Sequence, residues 1–346
     1  MEPSQQLVQV ATLQGHDEPR VWHVAWSPSG HTLASCAADR AIRLWAEDGD
    51  RAWACVAILT DGHQRTVRRV SWAPCGSLLA SCSFDGTAMI WRCEDGVFDC
   101  LASLEGHDNE VKAVAWSPSG SFVATCGRDK SVWVWEAEDE AYEVAAVLHS
   151  HGADVKDIVW HPTDDVLASA SYDDSLKIIT QDGDDWRCAA TLLGHASTVW
   201  GLAFSADGAH IVSCSDDRSV VLWAGGPADA APAAAAAPAA PAPAPYSYAQ
   251  VASLPEVHSR PIYAIDWEKG GARMIATGGG DDAVCAIEAT LPEPGSAKPA
   301  SLRLVARVAG AHRGDVNSVA VAPAERGDGL LASAGDDGVI RLWRRA

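Results

Sequence analysis

The chain has 346 residues, with 26 Lys and Arg against 46 Asp and Glu, for a formal net charge of -20. That balance argues against direct nucleic-acid binding, because neutralising phosphate needs concentrated Lys and Arg, and against an anionic membrane surface for the same reason. The opening MEPSQQLVQVATLQGHDE has no basic cluster ahead of an apolar run, and no later stretch reaches about 18 uncharged apolar residues, so a soluble, intracellular chain with no membrane segment is expected. Ten Cys in a chain long enough to bury a large core read as reduced thiols. Fifteen Trp against four Phe and five Tyr suggest a residue reused once per repeat.

The first element expected is a strand, LVQVATL, at residues 7–13. After it, a Gly-His pair or a variant recurs at His16, His63, His107, His151, His195, His258 and His312. Each is followed by a small hydroxyl, in turn Ser35, Ser81, Thr125, Ser169, Ser213, Thr277 and Ser333. Four residues further on stands an Asp: Asp39, Asp85, Asp129, Asp173, Asp217, Asp281 and Asp337. Six residues after that comes Trp45, Trp91, Trp135, Ile179, Trp223, Ile287 or Trp343. Within one unit, VKAVAWSPSGSFVATCGRDKSVWVWE reads as three strands joined by a Ser-Pro-Ser-Gly turn and an Arg-Asp-Lys turn, and CLASLE supplies a fourth strand beside them. Four short strands cannot cover both of their own faces, so such units pack side by side in a ring.

This pattern resembles the WD40 family. The resemblance implies an all-β fold, a seven-bladed WD40 β-propeller, as a single domain over residues 1–346. The last unit has only three strands, at about 316–321, 330–334 and 339–343, so residues 7–13 are expected to close the ring as its fourth strand. In the family the repeated residues form a buried hydrogen-bonded chain. By that resemblance His63, Ser81, Asp85 and Trp91, and likewise His107, Thr125, Asp129 and Trp135, are structural, and no catalytic triad is read into them.

Two interruptions follow. Residues 224–247 hold a Pro/Ala-rich run, AGGPADAAPAAAAAPAAPAPAP, expected as a solvated insertion loop within one blade, on the face opposite the Gly-His turns. A shorter one, LPEPGSAKPAS, occupies residues 291–301 of the next blade. Cys36, Cys82, Cys126 and Cys214 each follow the repeated hydroxyl and are expected in the sheet packing. No Cys-x-x-Cys and no zinc-type Cys and His spacing occurs, so no cofactor or metal is expected.

Function then falls to the positions the scaffold leaves free. In the propeller frame two per blade reach the Gly-His face. The residue after the apolar opener of the first strand is Trp22, Arg68, Lys112, Lys156, Trp200, Tyr263 or Asn317. The residue before the repeated Asp is Ala38, Phe84, Arg128, Tyr172, Asp216, Gly280 or Asp336. Blades two to four thus gather Arg68, Lys112, Arg128 and Lys156, with Phe84, Tyr172, Trp22 and Trp200 around them. Such a basic and aromatic patch suits an acidic or aromatic partner segment.

Several strings are more distinctive than the repeat: GHQRTVRRVSWAPCGSLLASCSFDGTAMIW, LEGHDNEVKAVAWSPSGSFVATCGRDKSVWVWE, VWHPTDDVLASASYDDSLK and GHASTVWGLAFSADG. They resemble the propeller subunit of the cytosolic iron-sulfur protein assembly (CIA) targeting complex. The resemblance implies a non-enzymatic scaffold that helps deliver clusters to cytosolic and nuclear apoproteins. It further implies a MIP18-type protein, a helical-repeat adaptor and a hydrogenase-like carrier as partners, alongside the client apoproteins. Arg128 matches a functionally important surface arginine of the family, whose members also help to recognise clients ending in an acidic and an aromatic residue. Where some animal relatives carry Leu-Tyr-Arg for a cochaperone, this chain has Ile178, Ile179 and Thr180. The competing reading is a substrate receptor of a ubiquitin ligase. Such adaptors commonly show Trp-Asp-x-Arg, and Trp45, Trp91, Trp135, Trp223 and Trp343 are followed by Ala46, Arg92, Glu136, Ala224 and Arg344.

Overall fold

A computed structural model describes residues 6–49, 52–94, 96–227, 246–270, 274–292 and 299–346. The strands form seven four-stranded antiparallel sheets, each one blade. Six blades are built from consecutive strands, starting at Val21, Val67, Val111, Val155, Val199 and Ile262. The seventh joins Val316–Val321, Leu331–Gly335 and Ile340–Arg345 to the N-terminal strand Leu7–Leu13, which pairs antiparallel with Ile340–Arg345. The chain is thus a seven-bladed β-propeller whose two ends share one sheet, so the ring has no open seam between first and last blade. Among the described residues, no helix is long and apolar enough to cross a membrane.

The core lies between blades rather than within them. Alternation puts one set of side chains on each face of a blade, and the next blade covers that face. The layer between blades two and three is typical, with Cys82, Ile90 and Leu104 meeting Val111, Val114, Val123 and Trp135. Cys36, Cys82, Cys126 and Cys214 have no exposed surface, and burial pushes the Cys82 thiol up to about 12.

The fifteen Trp divide by role. Five follow the repeated Asp, and a further five, Trp26, Trp72, Trp116, Trp160 and Trp267, end first strands. Three of the latter reach back across the blade boundary, where Trp26, Trp72 and Trp160 donate Nε1 to the carbonyls of Ala320, Ala25 and Ala115 at 3.0, 3.2 and 3.0 Å.

The Pro/Ala-rich run lies mostly outside the described residues, but its flanks are strand. The third strand of blade five continues to Pro227 and the outer strand starts at Tyr246, with Pro227 paired to Tyr246, so ladder pairing extends into both ends of the 224–247 interval expected as loop. Tyr248 donates its hydroxyl to the Gly208 carbonyl at 2.7 Å, and Tyr246 bonds Asp164 of blade four, anchoring that hairpin stem. Ile178, Ile179 and Thr180 are buried in the third strand of blade four and present no surface motif.

Candidate protein-docking face

Every blade repeats one polar chain. In blade three the Trp135 indole donates to Thr125 Oγ1 at 3.0 Å, Thr125 meets His107 Nε2 at 2.8 Å, and His107 Nδ1 meets Asp129 at 2.7 Å. An indole only donates, so the hydroxyl accepts from Trp135 and spends its own proton on Nε2; Nδ1 of a neutral imidazole then donates to the carboxylate. The same links run through His16, His63, His195 and His312 in blades one, two, five and seven. In blades four and six His151 and His258 keep the hydroxyl and Asp, while Ile179 and Ile287 fill the Trp position. All seven hydroxyl residues are 0% exposed, so none of these Ser-His-Asp sets can be reached by a substrate. Burial opposes ionisation of the carboxylates, but hydrogen bonds from His107 and Ser131 outweigh it and hold Asp129 at about 2, and those from Ser175, Gly152 and His151 do the same for Asp173.

On this frame the fourteen free positions are set by the backbone. The ladder between first and second strands slips after the opening residue in all seven blades, skipping Trp22, Arg68, Lys112, Lys156, Trp200, Tyr263 and Asn317. A bulge of this kind re-aims its side chain, here toward the channel mouth. The second position is fixed just as regularly. The amide of Ala38, Phe84, Arg128, Tyr172, Asp216, Gly280 or Asp336 donates to the carbonyl two residues before the bulge, at 2.9 to 3.0 Å.

The expected patch is assembled. Lys112 lies over the Phe84 ring at 4.2 Å, Lys156 over Tyr172 and Trp200 at 5.1 and 5.0 Å, and Arg68 over Trp22 at 4.9 Å. Arg128 and Tyr172 are both 57% exposed at its rim. Tyr263 packs edge-on against Trp200, and after burial it is the carboxylates of Asp315 and Asp216 that raise its pKa.

The patch was expected as a cationic rim, but two acids sit inside it. Glu110 takes Lys112 at 2.6 Å, Arg65 at 3.3 Å and Arg128 at 3.8 Å, and Asp154 takes Lys156 at 3.3 Å. Between them a cleft of about 320 Å³ is lined by Glu110, Lys112, Arg128, Asp154, Lys156 and Tyr172. The face therefore offers alternating charge with an aromatic edge. The signal was in the sequence, because Glu110-Val-Lys112 and Asp154-Val-Lys156 put acid and base two residues apart, on one side of a strand.

A second feature escaped sequence reading. Arg69 of blade two bonds Asp157 of blade four, bypassing blade three, and Asp157 also accepts the Leu202 amide of blade five at 3.2 Å. This pair bolts the central channel, a cavity of about 450 Å³ lined by the first strands. Among the described residues, no group of three or more His, Cys, Asp or Glu is placed to hold a metal ion.

Comparison with known proteins agrees with this architecture. The WD domain, G-beta repeat family matches residues 7–46, 53–92, 98–136, 142–180, 186–224 and 305–344, six of the seven repeats. The unmatched repeat is the one with Ile287, and it still folds as a complete blade. A protein of Chlamydomonas reinhardtii named as a probable cytosolic iron-sulfur protein assembly protein CIAO1 homolog is 48% identical over 96% of this chain and 97% of its own length. Probable cytosolic iron-sulfur protein assembly proteins Ciao1 of Aedes aegypti and Culex quinquefasciatus are 48% and 44% identical, each over 96% of both chains. By repeat architecture and by end-to-end identity, the chain belongs to the WD40-repeat family and, within it, to the CIAO1-type cytosolic iron-sulfur protein assembly proteins.

Proposed function

We propose that this chain is a non-catalytic scaffold of cytosolic iron-sulfur protein assembly, bringing carrier and client apoproteins together through protein contacts. The observation that carries the reading is the kinship at 44 to 48% identity over 96% of the chain. The proposed docking surface is the face of blades two to four, with Arg128, Arg68, Lys112, Lys156, Phe84, Tyr172, Trp22 and Trp200 as contact residues and Tyr263 at its margin. Its partners are a MIP18-type protein, a helical-repeat adaptor and a hydrogenase-like carrier, with cytosolic and nuclear clients. The cluster is cargo, handled by those partners.

A partner reaching this face meets Lys112, Lys156 and Arg128 already paired. Arg128 is the loosest of them, 3.8 Å from Glu110 and 57% exposed, so it can turn to grip a partner carboxylate at little cost. Lys112 and Lys156, held by Glu110 and Asp154, fix the aromatic rings under them instead. The test is capture of the MIP18-type protein on immobilised chain. Arg128→Glu should weaken capture at least tenfold with an unchanged melting midpoint; undiminished capture, or recovery of ubiquitin-ligase components in place of assembly proteins, would overturn the proposal.

A further inference from the structure

The outermost strand of each blade is the last in its sheet, so its outward amides and carbonyls have no partner strand among the described residues. An edge of that kind pairs with other chains unless charge, Pro or a cover blunts it. Four of the seven carry charge: Asp99 in Val97–Leu104, Glu143 in Ala141–Leu148, Asp185 and Arg187 in Asp185–Leu193, and Arg303 and Arg307 in Ser301–Val308. Of the uncharged ones, Tyr246–Leu254 in blade five stands between charged edges in blades four and six. The other two are neighbours. Trp53–Leu59 of blade one reads WACVAIL, Leu7–Leu13 of blade seven reads LVQVATL, and on them Val8, Val10, Val56 and Ile58 are 44 to 59% exposed at the seam of the ring.

Between these strands lies a cleft of about 490 Å³ with Val10, Ala11, Trp53 and Leu330 in its apolar lining. Its wall is held from several sides. Trp53 packs edge-on against Trp26 with ring centroids 5.6 Å apart, and the Arg326 guanidinium lies 5.1 Å from the Trp53 ring and 5.4 Å from the Trp26 ring. Arg326 is only 6% exposed and is fixed by the Gly30 carbonyl at 2.9 Å, Glu47 at 2.7 Å and Asp328 at 3.1 Å. Arg344 also meets Asp328, at 3.4 Å. The Arg and the acids that line the cleft are thus already paired with one another, and the occupant it suits is uncharged.

Size and charge decide what that occupant is. A seven-residue edge is about 23 Å long at roughly 3.3 Å per residue, and a strip about 10 Å thick along it covers about 230 Å². Stable interfaces between folded proteins need roughly 800 Å² per partner, so a second copy meeting this edge would not be held. Two chains of net charge -20 also repel each other. A linear segment needs less, because main-chain bonds along the edge and one seated side chain carry the contact. We propose that Trp53–Leu59 is a docking edge for an extended, uncharged segment of another protein, which adds to blade one as a fifth strand and seats one apolar side chain in the cleft against Trp53. The edge lies on a different blade from the Arg128 cleft and does not depend on the proposed scaffold function.

The test is selection of a phage-displayed library of random nine-residue peptides on the immobilised full chain, with the enriched peptides then synthesised and titrated in solution. They should alternate apolar with polar uncharged residues and should protect amides of Trp53–Leu59 from hydrogen exchange. Ile58→Lys and Val10→Lys, both at exposed positions, should each weaken binding at least tenfold with an unchanged melting midpoint, whereas Arg128→Gln should leave it intact. N-methylation of the peptide amides that face the edge, every second one, should abolish binding, and N-methylation of the intervening amides should not. No enrichment over the Ile58→Lys chain, binding undiminished in folded Ile58→Lys or Val10→Lys, or tolerance of N-methylation at every position would overturn the site. Self-association of the wild-type chain in sedimentation that Ile58→Lys abolishes would overturn it too, by making a second copy the occupant.

Discussion

Blades three and six solve the same problem with different parts. Blade three has the full chain from Trp135 to Asp129, and Ser131 adds a bond of 2.6 Å to the carboxylate. Blade six lacks the Trp of the chain; its third strand carries Ile287 there, so the Thr277 hydroxyl loses its indole donor. The carboxylate end is reinforced instead, because Arg307 on the outer strand reaches Asp281 at 2.6 Å and the Val257 carbonyl at 2.8 Å. Blade seven carries a similar addition, Arg341 at 2.9 Å from Asp337, on top of a complete chain. The lesson is that the His and Asp link is the invariant part, and that the Trp can be absent, with an Arg on the carboxylate in blade six and Ser175 on it in blade four. The missing Trp alone does not set the family match, since the repeat that ends at Ile179 is matched and the one with Ile287 is not.

The largest effect should come from the invariant part. Asp129→Ala removes the acceptor of His107, Ser131 and the Asp108 amide, and should lower unfolding stability by about 3 to 5 kcal/mol. Asp281→Ala should lower it at least as much, since Arg307 is stranded with His258. Urea midpoints with unchanged m-values are the measurement. A cost below about 1 kcal/mol in either blade would place the brace elsewhere. The same carboxylates set the acid limit. Asp129 sits at about 2 in the folded chain, below the usual value of about 3.9 for an unfolded Asp, so its contribution is complete above that unfolded value and disappears as pH falls through the folded one. Wild type should therefore lose stability between about pH 4 and pH 2, with a shallower slope in Asp129→Asn.

A smaller effect should separate the two braces. Trp135→Phe keeps most of the ring and removes the Nε1 donor, which leaves Thr125 with one partner as in blade six. About 1 to 2 kcal/mol should be lost, read from the same urea midpoints.

How far the sequence reaches follows from what repeats. The quartets are legible because each link recurs at fixed spacing, so His63, Ser81, Asp85 and Trp91 could be aligned with His107, Thr125, Asp129 and Trp135 without coordinates. The proposed docking positions are legible for the same reason, the bulge residue being a fixed step from the strand opener. Glu110 was visible but unread, since its pairing needs only the two-residue period of a strand. The Arg69 and Asp157 bolt lay beyond reach, because it joins residues 88 positions apart across a channel whose diameter no local pattern reports. Arg307 is hidden for a similar reason. Its outer strand follows a second insertion, and nothing in the repeat register marks that side chain as the one that turns inward.

Arg307→Gln is the finest probe of the contrast. The side chain is 30% exposed, so solvent screens its pairing with Asp281, and a loss of only about 0.5 to 1 kcal/mol is expected. Its direction in acid is more telling than its size. Burial raises the Asp281 pKa, and the bonds from His258, the Ser259 amide and Arg307 together bring it well below the usual carboxylate range. Removing Arg307 lets that pKa rise toward the unfolded value, so the variant should have less stability left to lose on acidification, and its deficit against wild type should shrink below about pH 3. A deficit that stayed constant across that window would mean that Arg307 contributes through its Val257 carbonyl bond and its packed stem. Blade six would then be a blade held by two links, with no substitute for the missing indole.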